Sequence, residues 1–306
     1  MFDIFGYTNF EGDIVELKKK CLVFVLLVTM FFLAGCGGEK KSEGNRQEQK
    51  EMPRAIMEIE SGLLAIMQQA DLLPATKTKA EQSQPDSNGG KKEQENGESS
   101  TQVNELTYEE TILGELLNAE GVEMEEQQLP ESTEIIWDNI KNALTKLYIQ
   151  WNDLEPLLME KAIPQAEITS FEEGLDSLTV FTTEQNHFGT MDSANQLTGN
   201  LANFMVPFAE NIVSTTYELK FHLRNLVLEA ATDDYTGAQE SLDYIREQQP
   251  VLAKSLDKGA LTLLETSVDN LQRVLDKQNL ELVILNASVV MENIVQSIEK
   301  ISNTTL

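Results

Sequence analysis

The stretch STEIIWDNIKNALTKLYIQWNDLEP, residues 132–156, decides the fold class. Its apolar residues recur in steps of three or four, the spacing of one face of an α-helix. These residues are Ile136, Ile140, Ala143, Leu147, Trp151 and Leu154. Such steps are typical of the a/d seam along which helices pack against one another. The stretch therefore predicts one helix of a bundle, which bends or ends at Pro156.

The aromatic residues Trp137, Tyr148 and Trp151 of this stretch allow two interpretations. Exposed rings can stack on a sugar or on a nucleic-acid base. Aromatic side chains at helical spacing more often fill a core, because each of them buries a large apolar area. We expect these rings to belong to the core.

The rest of the chain repeats the helical pattern. Further helices are predicted from Thr107 to Gly121, Ser170 to Asn186, Asp192 to Ala231, Tyr235 to Leu256, Leu264 to Leu275 and Leu282 to Ile301. Capping boxes open the first two, Asp192 caps the third, and Pro207 should kink it. The short turn 276–279 predicts that the last two helices are antiparallel neighbours. The fold class predicted is all-α, an elongated antiparallel helical bundle over residues 104–306.

A separate amphipathic helix is predicted at residues 52–74. Its apolar stripe consists of Ile56, Ile59, Leu63, Ile66, Met67 and Ala70. A helix of this length is marginal in water when isolated, so it should dock on the main domain or on a partner, with the domain as the default. Its polar side carries only one base, Arg54, which argues against an anionic membrane as its surface.

Two polar segments flank this helix. Residues 36–51 lack aromatic and branched aliphatic side chains, so they predict a tether that buries little apolar surface. Residues 75–103 are rich in Lys, Glu, Gln, Ser, Asn and Gly, which predicts a disordered linker.

The N-terminal residues 1–35 are predicted to be a signal peptide, because their segments follow one another in the order typical of one. Lys18, Lys19 and Lys20 precede a short apolar run, and small residues follow it. The run is shorter than the roughly 20 apolar residues of a permanent spanning helix, which favours a cleaved signal over an anchor. Residues 1–16 carry four acidic side chains where a basic leader is expected. We interpret this as a sign that the start codon has been assigned too early and that translation begins after these residues.

The sequence Leu33-Ala34-Gly35-Cys36 at the end of this run resembles the lipobox of bacterial lipoprotein precursors. The resemblance implies lipid attachment to the Cys36 sulfur, cleavage before Cys36 and acylation of the new amino terminus. A protein processed in this way is held on the extracytoplasmic face of the cell membrane, because several acyl chains anchor it stably. The remaining chain is similar to uncharacterised all-helical lipoproteins of low-GC Gram-positive bacteria, through Trp137, Tyr148, Trp151 and the long helices that follow. That similarity implies no functional residue.

The charge of the chain limits the classes of partner. The full sequence has a net charge of −28, and the part after residue 35 keeps 20 Lys and Arg against 47 Asp and Glu. Such a surface repels phosphate backbones, so no nucleic acid partner is expected. The sequence after Cys36 contains no further cysteine, which excludes disulfides and cysteine nucleophiles within it.

Two groups of residues are candidates for metal binding. Glu218 and His222 are four residues apart on a predicted helix and share a face, as metal ligands can, but two ligands do not complete a site. The other histidine, His187, is expected in an exposed turn. The acidic patch Glu120, Glu123, Glu125 and Glu126 lacks the spacing of a calcium loop, so a solvated connector is expected there.

No phosphate-binding loop, GxSxG elbow or HExxH motif occurs in the sequence. The function predicted is a non-catalytic interaction or binding module of the cell envelope, with an envelope protein as partner and Cys36 as the lipidated residue. The first alternative is a lipoprotein that binds a divalent cation or small ligand through Glu218 and His222. The second alternative is an envelope hydrolase, whose carboxylates only geometry would identify. No catalytic residue, metal ligand or cofactor is assigned.

Overall fold

The structure, a computed structural model, describes residues 52–82, 111–123, 129–209 and 211–304, all within the contact unit Lys50–Leu306. These residues form helices and no strand, so the predicted all-α helical bundle is confirmed. The helices are α1 (Arg54–Asp71), α2 (Leu73–Gln82), α3 (Gly114–Glu120), α4 (Thr133–Glu160), α5 (Gln165–Thr183), α6 (His187–Met205), α7 (Asn211–Ala231), α8 (Tyr235–Leu252), α9 (Lys258–Leu275) and α10 (Leu280–Thr304). The signal peptide, Cys36, the tether and residues 83–103 of the linker lie outside the described residues.

Helix α1 is an integral helix of the bundle. All six residues of its predicted stripe are fully buried, and the helix packs against α4 and α6. A Cβ atom at Gly62 would lie 2.7 Å from Leu147 Cδ2, so glycine permits the close approach of α1 to α4. The expectation that this helix docks on the main domain is therefore confirmed, and its description as a separate element at 52–74 is wrong, because the stripe is buried within the chain. The linker prediction is also wrong for residues 75–82, which belong to α2.

Helix α4 matches the stretch that predicts it and continues through Pro156 to Glu160. The Trp151 ring stacks on Phe171 of α5, with 4.4 Å between ring centroids, and on Phe204 of α6 at 5.9 Å. Trp137 is also buried. The expectation that these rings belong to the core is confirmed for the two tryptophans, whereas Tyr148 is half-buried.

Helices α5 and α6 begin earlier than predicted. Pro164 lies at the N-cap of α5, so the predicted capping box at Ser170 falls inside the helix. Asn186 caps α6, since its side chain accepts the N–H of Gly189 at 3.0 Å. His187, expected in an exposed turn, is therefore the first residue of the helix, and Asp192 lies within the helix and is not a cap.

The predicted kink at Pro207 is a full break. α6 ends at Met205 and α7 begins at Asn211, so the single helix predicted over 192–231 is two helices. A proline lacks a backbone N–H and its ring collides with the preceding turn, which explains the interruption.

The last two helices meet as the turn length predicts. α9 ends at Leu275, α10 begins at Leu280, and the two helices pack extensively, as an antiparallel hairpin does. Among the described helices, α10 is the one long and apolar enough to cross a membrane by length and composition. It packs against α3, α7 and α9, and Val283, Ala287 and Val290 are fully buried, which identifies it as a core helix of the bundle.

Candidate functional site

Arg224 of α7 is the centre of a buried polar network. Only 1% of its side chain is exposed. Its Nη1 donates a hydrogen bond to Glu120 Oε2 at 2.6 Å. Its Nε donates to Asn195 Oδ1 at 2.9 Å and its Nη2 to Thr198 Oγ1 at 2.8 Å. Helices α3, α6 and α7 therefore meet at one guanidinium group.

Lys220 and Glu60 extend the network. Lys220 Nζ lies 3.4 Å from Glu120 Oε1 and 3.8 Å from Glu60 Oε1. It also lies 4.8 Å from the centroid of the Tyr217 ring, a cation–π distance. The side chains of Lys220 and Glu60 are each 12% exposed. With Arg224, the network contains two carboxylates and two cations, so its charges balance.

Helical spacing brings these groups together. Tyr217, Lys220 and Arg224 follow one another in steps of three and four on α7, which places them on one face. Asn195 and Thr198 are three residues apart on α6 and therefore present their polar atoms to the same side. Asn195 and Thr198 therefore reach Arg224 across the contact between α6 and α7.

Helix α3 positions Glu120 through contacts at both of its ends. At the N-terminal end, the Asp71 carboxylate accepts the N–H groups of Ile112 at 2.9 Å and Leu113 at 2.7 Å. At the other end, Gly121 follows Glu120 and stops the helix with a φ of 95°, a conformation that favours glycine. A helix of seven residues is not stable alone in water, so its contacts with the rest of the bundle hold it.

The two carboxylates of the network differ electrostatically. Burial raises the pKa of Glu60, although Lys220 opposes the shift. Burial also disfavours the Glu120 anion, but Arg224 and Lys220 outweigh this effect and hold its pKa below the usual range. Burial and the adjacent Glu60 raise the pKa of Tyr217, so its hydroxyl stays protonated. The surroundings therefore favour the charged form of Glu120 and disfavour that of Glu60.

Chemically, the arrangement is a buried ion-pair network in which two cations hold the carboxylate of Glu120. Arg224 and Lys220 lose their hydration on burial, which costs several kcal/mol per ion unless an anion compensates. Glu120 is that anion in the described structure. Each charged group contacts a group of the chain itself, so the geometry is suited to holding α1, α3, α6 and α7 together.

The predicted pair Glu218 and His222 is engaged with Tyr244 of α8. The Tyr244 hydroxyl donates a hydrogen bond to Glu218, and the His222 and Tyr244 rings stack with centroids 3.8 Å apart. Burial lowers the pKa of His222 to about 4, so the ring is neutral at pH 7. The described residues contain no group of three side chains of the usual ligand types that could hold a metal ion.

The other predicted site residues are dispersed. His187, expected in an exposed turn, is half-buried at the start of α6, and burial lowers its pKa. Glu120 was assigned to a solvated connector, and this assignment is wrong because two cations of α7 draw it into the core. Glu123 is exposed as expected, whereas Glu125 and Glu126 lie outside the described residues.

Sequence reasoning missed Lys220, Arg224, Glu60 and Asp71. One signal was available for Arg224. It lies within the run Phe221-His222-Leu223-Arg224-Asn225-Leu226-Val227-Leu228, where apolar residues cover most of the helix circumference. A helix buried on most sides must bury such a charge, and a buried charge requires a partner. The identity of that partner was not readable, because Glu120 is 104 residues away.

A small apolar crevice also lies between α7, α8, α9 and α10. Its lining includes Leu219, Leu252 and Leu264, with the hydroxyls of Thr216 and Ser297 as its polar groups. Both hydroxyls donate to carbonyl oxygens of their own helices. The crevice therefore presents apolar surface without a free polar group to orient a ligand.

Comparison with protein-family models, with curated proteins and with solved structures returns no match.

Proposed function

We propose that the protein is a lipid-anchored, non-catalytic binding module on the extracytoplasmic face of the cell membrane. The observation that carries the proposal is the sequence from Lys18 to Cys36, in which a basic segment, a short apolar run and Leu-Ala-Gly-Cys follow one another. The partner proposed is a protein of the cell envelope.

The geometry of the bundle supports a binding role. The buried charged groups of the network are held by one another and by α6, and Glu60 and Glu120 both contact Lys220. Preorganised groups of this kind suit the recognition of a charged group from a partner.

Palmitate labelling tests the anchor. Cells that produce the full chain are grown with radiolabelled palmitate, and the protein is then isolated and counted. We expect label in the wild-type protein and none in a Cys36→Ala variant. Equal incorporation into both proteins, or none into either, contradicts lipidation at Cys36.

Crosslinking in intact cells, followed by mass spectrometry, tests the partner. We expect the wild-type protein to crosslink reproducibly to the same envelope protein. The Cys36→Ala variant, which should fold but not anchor, is the matched control and should lose most of that crosslink. Deleting residues 52–74 is unsuitable as a control, because it removes the core helix α1. If the wild-type chain crosslinks only to itself, the interaction role is contradicted.

A further inference from the structure

The pocket around Arg224 and Lys220 is formed by side chains of α1, α6 and α7, and α3 supplies only the carboxylate that occupies it. Two of the three hydrogen bonds of the guanidinium go to Asn195 and Thr198 of α6, and Lys220 contacts Glu60 of α1 and Tyr217 of α7. The cations therefore keep partners that fix their positions when Glu120 is removed. Preorganisation of this kind is a general property of binding sites, because less ordering is needed when the ligand arrives.

The two oxygens of the Glu120 carboxylate are held unequally. A carboxylate can accept two parallel hydrogen bonds from one guanidinium, and such paired bonds are stronger than single ones. Here Arg224 makes one hydrogen bond, to Glu120 Oε2. Glu120 Oε1 is buried and has Lys220 Nζ at 3.4 Å, a longer contact than the 2.6 Å hydrogen bond from Arg224 to Oε2.

The helix that carries Glu120 depends on docking. α3 has seven residues, and Leu113, Leu116 and Leu117 are fully buried against the rest of the bundle. Because an isolated helix of this length is unstable, α3 is helical only while docked. Its recognition elements are two adjacent leucines followed three residues later by a glutamate.

We propose that α3 is an exchangeable internal ligand, and that its pocket accepts a Leu-Leu-x-x-Glu helical segment of a partner protein in its place. The partner carboxylate binds Arg224 and Lys220, and the two leucines occupy the positions of Leu116 and Leu117. The occupant follows from charge complementarity, because two buried cations require an anion whenever Glu120 is absent. α3 is then autoinhibitory, because it occupies the pocket and excludes other ligands.

Native-state hydrogen exchange of the full wild-type chain tests whether α3 opens alone. We expect the amides of Leu116 and Leu117 to exchange by local opening, with protection at least tenfold lower than that of Leu223 and Leu226 in α7. The α7 amides serve as the internal control. If the α3 amides exchange only through global unfolding, α3 is a permanent part of the core and the proposal is overturned.

Peptide binding tests the carboxylate pocket. The probe is a fluorescent peptide of residues 111–123, and the matched control peptide carries Glu120→Gln. We expect the full chain with Glu120→Gln to bind the probe at least tenfold more tightly than the wild-type chain, whose own α3 competes at a high effective concentration. Circular dichroism verifies that the variant is folded. Equal binding of both peptides, or no binding to a folded variant, overturns the proposal. If the variant does not fold, hydrogen exchange on the wild-type chain decides.

This inference rests on the proposed binding function, yet the two fail separately. Loss of palmitate labelling removes the anchor and leaves the exchange measurements unaffected. Failure of exchange and of peptide binding removes the internal ligand and leaves lipidation and crosslinking to be judged by themselves.

Discussion

The bundle contains two junctions of contrasting chemistry, and α6 contributes to both. At one junction, Phe204 of α6 meets the rings of Trp151 and Phe171. At the other, Asn195 of α6 meets Arg224. The aromatic junction depends on shape and buried area, whereas the ionic junction depends on individual bonds between specified atoms.

Because of this difference, the aromatic junction should tolerate amino-acid substitution better than the ionic junction. Burial of apolar area is non-directional, so another apolar side chain of similar volume restores most of its contribution. A buried ion has no such substitute, because removal of one partner leaves the other charged and dehydrated. Single substitutions should therefore cause a large loss of stability at the ionic junction. At the aromatic junction the loss should be smaller and should depend on the volume removed.

The largest effect is expected for Arg224→Met. This change leaves Glu120 and Glu60 with Lys220 as their one cation, and loss of one partner of a buried pair costs about 3–5 kcal/mol. We expect the free energy of unfolding to fall by an amount at the lower end of this range, because α3 can carry Glu120 into water. Urea denaturation followed by circular dichroism measures it.

The double variant Arg224→Met with Glu120→Leu is the control for this experiment. It removes a cation and an anion together and retains the pair of Lys220 with Glu60. We expect it to recover at least half of the stability lost in the single variant. Additive losses would show that Arg224 contributes through packing and not through its charge.

The next largest effect is expected for Asp71, whose protonation should make the free energy of unfolding depend on pH. Burial raises its pKa from 3.8 to about 6, so the folded state binds a proton more readily than the unfolded state. The contribution of Asp71 to stability is therefore full below about pH 4 and is lost as the pH rises through 6. A shift of this size corresponds to about 3 kcal/mol.

The matched comparison uses Asp71→Asn, which does not titrate. The unfolding free energy of the wild type relative to this variant should decrease by about 2 kcal/mol between pH 4 and pH 7, most of the full contribution. Other titrating groups cancel in the difference. A constant difference over this range would show that the hydrogen bonds from Ile112 and Leu113 keep the pKa of Asp71 at its ordinary value.

The two junctions also differ in what the sequence predicts about them. The apolar steps that include Trp151 predicted both a helix and a core position, because the helical period and burial follow from the same pattern. The pairing of Arg224 with Glu120 was not predictable, since no local rule relates residues that are distant in sequence. Periodicity also failed to place Ser170 and Asp192 correctly, because Pro164 and Asn186 begin the helices one turn or more earlier.

The graded behaviour of the aromatic junction can be measured with Phe171→Leu. Leucine keeps most of the apolar volume, so we expect the free energy of unfolding to fall by about 1–2 kcal/mol, less than for truncation of a buried aromatic to alanine. Phe204→Leu should behave similarly. The double variant should lose less than the sum of the two, because the rings contact each other.

The smallest effect is expected where the same ion-pair chemistry lies on the surface. Arg54 Nε lies 2.6 Å from Glu58 Oε1, as close as the buried pair, but the side chains are 90% and 39% exposed. Water already solvates both ions, so Glu58→Gln should change the unfolding free energy by less than about 0.5 kcal/mol. A loss as large as that of Arg224→Met would mean that ion-pair distance, and not burial, controls stability here. A small loss would show that the ionic junction is sensitive because it is dehydrated.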